Sequence, residues 1–148
     1  MSDLRVDVNL GEGVRMGAQD LPPLLEQVVR AALVHENVST AAISVTLVGD
    51  EQITALNVQY LQHDGPTDVI SFPLFEQGEM PVADIYIGVD QARRQAEELG
   101  IPLDTELARL AIHGTLHVLG YDHPGEGGRE GSEMWQRQEA ILQRTLLH

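Results

Sequence analysis

The chain has 148 residues, no cysteine, and 23 acidic residues against nine arginines and no lysine, for a formal net charge of −14. Without cysteine there is neither a disulfide framework nor thiolate ligation, so a bound metal would take nitrogen and oxygen ligands. The length suits one domain with a core of its own. The acidic excess argues against a broad phosphate-binding surface, so a nucleic-acid role would need a local cationic spot supplied by arginines or a metal. No apolar run approaches the ~20 residues of a membrane span, and no basic-then-apolar signal opens the chain, so the expected location is the cytoplasm.

Leu4 to Leu10 alternates apolar and polar residues, the pattern of a half-buried strand. A glycine-containing loop follows, and Asp20 with Pro22 and Pro23 opens a helix near Leu24, whose apolar stripe is Leu25, Val28, Val29, Ala32 and Leu33. Ile43–Leu47 is a second strand closed by Gly49. Asp50 is expected to cap a helix reaching about Leu61, with Ile53, Leu56 and Tyr60 turned inward.

Pro66 breaks the chain before a short strand, Asp68–Phe72, which Pro73 stops; residues 75–81 read as a loop. Val82–Gly88 is a strand with Val82, Asp84 and Tyr86 on one face and Ala83, Ile85 and Ile87 on the other. A helix from Asp90 ends at Gly100, and the next begins at Pro102 or Asp104 and packs Leu103, Leu107, Leu110 and Ala111 inward. Gly125, Gly127, Gly128 and Gly131 mark a glycine-rich stretch. A last helix from about Ser132 to Leu147 buries Trp135, Ile141, Leu142 and Leu146. The order β-α-β-α-β-β-α-α-α predicts an α+β fold: a single domain with a mixed sheet of about four strands against five or so helices.

The most informative segment is His113-Gly-Thr-Leu-His117-Val-Leu-Gly120-Tyr-Asp122-His123. Spacing i, i+4 puts His113 and His117 on one helix face, one turn apart. Gly120 suits a left-handed residue that stops the helix, and the turn after it can bring His123 to the same point. Three imidazoles with no fourth protein ligand form the pattern of a catalytic site in which water holds the open position. Zinc suits such a site best, although nickel, copper and cobalt also bind imidazole. The chemistry expected is hydrolysis.

The histidine and glycine spacing matches the His-Glu-x-x-His-x-x-Gly-x-x-His pattern of three-histidine zinc peptidases, but Gly114 replaces the glutamate that serves as their general base. Losing that proton acceptor typically costs ~10²–10⁴-fold in rate. Asp122, next to a ligand, can orient an imidazole or complete the turn. Arg109 lies one turn before His113 and can hold a phosphate or pair with a helix acid. Asp84 stands out in an apolar strand as a site residue or a buried hydrogen-bonding group. His35, His63 and His148 read as surface or loop residues.

Thr67-Asp-Val-Ile-Ser-Phe-Pro73, Ala83-Asp-Ile-Tyr-Ile-Gly88 and the histidine segment together resemble the YbeY family of bacterial metal-dependent endoribonucleases. The resemblance covers nearly the whole chain. It implies that His113, His117 and His123 are the metal ligands and that segments 66–73 and 83–88 line the cleft. Thr67, Asp68, Ser71, Asp84, Asp122 and Arg109 are then the candidates for orienting a ligand or touching substrate, with no general base assigned. It further implies RNA as substrate, a role in 16S rRNA 3′-end maturation and ribosome quality control, and partners in the small ribosomal subunit or among assembly factors. A peptidase-like hydrolase and a non-enzymatic assembly factor with a bound metal are the alternatives. One departure stands out. The family typically has an arginine tied to substrate handling directly after the tyrosine matching Tyr60, and here that residue is Leu61.

Overall fold

In a computed structural model, residues 3–15, 21–61, 65–121 and 133–146 are described. Strands β1 (Asp3–Leu10), β2 (Thr40–Val48), β3 (Val69–Pro73) and β4 (Val82–Gly88) form a sheet in the order β1-β2-β4-β3. β1 and β4 run parallel to β2, and β3 pairs antiparallel to β4 on the edge. Pro73 is tolerated at the end of that edge strand, where no inner ladder bond is lost. Helices α1 (Leu21–His35), α2 (Asp50–Leu56), α3 (Val89–Leu99), α4 (Leu103–Val118) and α5 (Glu133–Leu146) complete the α+β architecture.

Period-2 burial splits the sheet into two faces. Val6, Ile43, Val45, Leu47, Ala83, Ile85 and Ile87 turn into the main core with α1 and α4. Val48, Ile53 and Ile70 form a smaller cluster on the other side, edged by Leu56, Phe72 and Tyr86. Helix α4 is the centre of the molecule. It packs on β3 and β4 and is surrounded by α1, α3 and α5. Its buried residues run almost all the way round, as expected of a helix enclosed by others. Each large aliphatic side chain buried there contributes roughly 1.5–3 kcal/mol, so the helix that carries the histidine pair is firmly held.

Gly114 permits that placement. A Cβ at this position would lie 2.9 Å from Ile85 Cγ2, 3.1 Å from Ser71 Oγ and 3.2 Å from Val69 Cγ2. Only a residue without a side chain lets α4 come this close to β3 and β4.

Several expectations need correction. Asp50 is the first helical residue of α2 rather than its cap; Gly49 holds the cap position, and the Asp50 N–H donates to the Asp90 carboxylate at 2.9 Å. The helix expected to reach Leu61 remains α-helical only to Leu56, then widens into a π-helical turn over Asn57–Leu61. In that wider turn Tyr60 points outward, 56% exposed, resting edge-on against Phe72 with ring centroids 5.3 Å apart. In α5 the buried residues are Met134, Gln138, Ile141 and Leu142, whereas Trp135 is only partly covered and Leu146 is exposed. Asp20, Ser132 and the glycines at 125–131 lie outside the described residues. Among those described, no helix is long and apolar enough to cross a membrane.

Candidate functional site

The C-terminus of α4 builds the site. Gly120 has φ +109°, a conformation that suits glycine. The Gly120 N–H donates to the His117 carbonyl at 3.1 Å and the Tyr121 N–H to the Leu116 carbonyl at 3.2 Å. This pair of bonds is a Schellman turn. It folds the Tyr121 carbonyl back under the helix, where it accepts the Nδ1–H of His117 at 2.7 Å. Since a carbonyl can only accept, the proton is on Nδ1 and the lone pair is on Nε2.

His113 is set the same way by a different element. Its Nδ1 lies 2.7 Å from Gln138 Oε1 on α5. The Gln138 amide nitrogen donates to the Glu139 carboxylate at 3.0 Å, which turns the amide oxygen toward the histidine. His113 therefore also carries its proton on Nδ1. The two rings stand one helical turn apart, with centroids separated by 6.5 Å and planes inclined by 19°. Neutral imidazoles whose Nδ1–H groups are held by oxygen acceptors are oriented as metal ligands usually are. The donor set thus fits a divalent cation bound through nitrogen.

His113 and His117 share a cleft of about 220 Å³ with Leu61, Thr67, Asp68, Val69, Ile70 and Ser71. The structure thus brings Thr67, Asp68 and Ser71 to the histidine pair. Asp68 Oδ1 accepts the Val69 N–H at 2.8 Å, and the Ser71 hydroxyl donates to the Gly114 carbonyl at 3.1 Å. Close packing fixes the strand below as well: a Cβ at Gly88 would lie 2.6 Å from the Thr67 carbonyl oxygen. A second cavity of about 300 Å³ continues from Asp68 and His113 toward Trp135, Gln138 and the α3–α4 corner.

Asp84 does not line this cleft, and Arg109 takes the second of its two expected roles, pairing with acids. Asp84 alternates with the buried Ala83 and Ile85 and pairs in register with Phe72. It therefore lies on the sheet face away from α4 and the histidines. Arg109 does line the second cavity, but its guanidinium is engaged. Nε and Nη2 bind the Glu139 carboxylate at 2.9 and 3.0 Å, and Nη1 binds Glu106 at 2.7 Å. Burial lowers the Arg109 pKa, but bonds to Glu139 and Glu106 outweigh it and raise the value overall. The arginine supports Gln138 through Glu139 instead of offering a phosphate contact. Asp122 and His123 lie outside the described residues, as do His63 and His148. Among the described residues no group of three or more metal-binding side chains converges.

Reading the sequence residue by residue missed Gln138, Glu36 and Tyr121 as supports. Gln138 carried a signal: it occupies the apolar stripe of α5 between Met134 and Ile141, where a polar side chain needs a partner. Glu36 sits beyond the end of α1 with its carboxylate only 9% exposed. It accepts the Tyr121 hydroxyl at 2.6 Å and Arg137 Nη1 at 2.9 Å. Burial raises the Glu36 pKa, but hydrogen bonds from Tyr121, His35 and Arg137 more than offset it and hold the carboxyl below its ordinary range. The Tyr121 phenol is pushed up, first by that bond to Glu36 and then by burial, so it is a donor at neutral pH.

A mixed sheet carrying a central helix, with two oriented imidazoles at the floor of a polar cleft, is the framework of a hydrolase. The family model described as Endoribonuclease YbeY matches residues 9–146, and the chain belongs to that family. It is 46% identical over 132 residues to the Endoribonuclease YbeY of Bacillus licheniformis, covering 81% of this chain and 82% of that one. It is 38% identical over 123 residues to the Endoribonuclease YbeY of Persephonella marina, with 80% of each chain covered. The solution structure of TM1509 from Thermotoga maritima superposes with a TM-score of 0.64 at 30% identity, over 97% of this chain and 89% of that one.

Proposed function

We propose that residues 1–148 act as one metal-dependent, single-strand-specific endoribonuclease domain, working in the cytoplasm in 16S rRNA 3′-end maturation and ribosome quality control. Family membership supports RNA as the substrate. The observation that carries the metal reading is the pair of Nδ1–H bonds, from His113 to Gln138 and from His117 to the Tyr121 carbonyl. These direct both Nε2 lone pairs to ligation. His113, His117 and His123 would hold one divalent cation, zinc by preference for an all-imidazole set. Such a cation supplies Lewis acidity at a phosphodiester and lowers the pKa of water.

The chain's own residues do the rest. Thr67 and Ser71 line the cleft wall; the Ser71 hydroxyl is oriented by its bond to the Gly114 carbonyl and keeps its oxygen as an acceptor. Asp68, steadied by the Val69 N–H, lines the same cleft and would take the proton in this reading. The small ribosomal subunit or its assembly factors are the partners of this reading.

The peptidase alternative is disfavoured by packing. Position 114, where that motif has its general base, faces Ile85, Ser71 and Val69 at distances that admit no side chain. The test is metal analysis of the purified chain with cleavage of single-stranded RNA, alongside chelator treatment and His113→Ala and His117→Ala variants. Metal and cleavage should be lost together. Cleavage that survives both treatments would overturn the reading, and a metal-loaded chain with no RNA turnover would favour a non-enzymatic assembly role.

A further inference from the structure

We infer that Glu36 and Tyr121 form a positioning device for His117, an inference that rests on the metal reading above. The Glu36 carboxylate is 9% exposed and lies outside the cleft. Enclosing a charge there is costly unless its lone pairs are met. They are met by the Tyr121 hydroxyl at 2.6 Å, Arg137 Nη1 at 2.9 Å and the His35 ring nitrogen at 2.9 Å. The Arg137 guanidinium also lies over the Tyr121 ring, 5.6 Å from its centroid. The ends of α1 and α4 and the first half of α5 thus converge on one tyrosine.

What this cluster holds is the peptide after Gly120. The Tyr121 N–H is tied to the Leu116 carbonyl at 3.2 Å and its phenol to Glu36. Both anchors act on the residue that bears the carbonyl accepting the His117 Nδ1–H at 2.7 Å. With its N–H and its side chain both tied, Tyr121 is held against the end of α4, and its carbonyl keeps the imidazole in one tautomer and orientation. A brace serving only to join α1, α4 and α5 would have no need to end on the ring of a candidate ligand.

The experiment is titration of the full-length apoprotein with Co(II), reading affinity and visible absorption, beside its thermal melt. Tyr121→Phe keeps the ring and removes the phenol. It should weaken Co(II) binding by about tenfold and alter the absorption bands, at the low end of the range for supports behind a metal ligand. Glu36→Gln, which still accepts from the phenol, should restore most of the affinity that Glu36→Leu loses. Should Tyr121→Phe melt too low for titration, the Gln and Leu pair makes the same comparison.

Parent-like affinity and absorption in Tyr121→Phe overturn the proposal, as do equal losses in Glu36→Gln and Glu36→Leu. A parent protein that takes up no Co(II) is a different failure, since it removes the metal reading itself and the device with it.

Discussion

The Nδ1–H of His113 is donated to the carboxamide oxygen of Gln138, 2.7 Å away on α5, and Gln138 is only 1% exposed. Behind the amide stands Glu139, gripped by the half-buried Arg109. An amide in an apolar stripe is costly unless both its ends are satisfied. Here both ends are, and the result is a histidine with a fixed tautomer.

Gln138→Met keeps the volume and removes the acceptor. It should weaken zinc binding by about 10–100-fold, measured by competition with a chromophoric chelator. The fold should survive, because methionine fits an apolar stripe. Unchanged affinity would show that the acceptor is not needed to ready His113 for a cation.

Gly114→Ala tests the close approach of α4 to the sheet. Alanine gains about 1 kcal/mol of helix propensity over glycine. Against that, its methyl would sit 2.9 Å from Ile85 Cγ2 and 3.1 Å from Ser71 Oγ, and overpacking of this kind costs roughly 1–3 kcal/mol. The crowding wins, so urea denaturation should show a net loss of about 1 kcal/mol. RNA cleavage should also fall, because the strand that yields is the one carrying Ser71. A neutral or stabilising Gly114→Ala would mean that β3 moves aside at no cost.

What could be read from the sequence follows how local each signal is. The element order and the sheet faces were legible because alternation along β4 and the 3.6-residue stripe of α1 repeat within a few residues. The placement of His113 and His117 on one helix, and Gly120 as its stop, rested on spacings of one turn. Thr67, Asp68 and Ser71 were tied to the cleft only through the family resemblance. The supports were hidden by distance: Glu36 and Tyr121 are 85 residues apart, and Arg109 and Glu139 are 30 apart. Helix spacing left Arg109 either a phosphate contact or a helix acid as partner, and tertiary packing gave it Glu106 on its own helix and Glu139 on α5. Tyr60 was expected inside because its periodicity continued that of α2, and the π-helical turn at Asn57 broke the period.

Leu61 gives the cleft an apolar rim where a cation would contact phosphate. Among the described residues lining it there is no arginine. Leu61→Arg should tighten single-stranded RNA binding at low salt and steepen the log–log salt dependence by about 0.7, the increment for one added phosphate contact. Leu61 is 46% exposed, so the substitution should leave stability within about 0.5 kcal/mol. A variant with the parent's salt slope would place the RNA backbone elsewhere than this rim.

Asp68 is the sharpest test of the chemistry, because its two possible duties separate in one substitution. Its Oδ1 accepts the Val69 N–H at 2.8 Å and so shapes the entry to β3. Asparagine keeps an oxygen for that bond and removes the carboxylate. If Asp68 only shapes the loop, Asp68→Asn should cleave RNA at nearly the parent rate. If it takes the proton, kcat should fall by about 10²–10⁴-fold with KM little changed. Metal content and urea stability should stay at parent values in both cases, which isolates the proton step from binding and folding. We expect the large fall in kcat, since Asp68 lines both cavities that meet at His113 and no other described carboxylate borders the cleft shared by the two histidines.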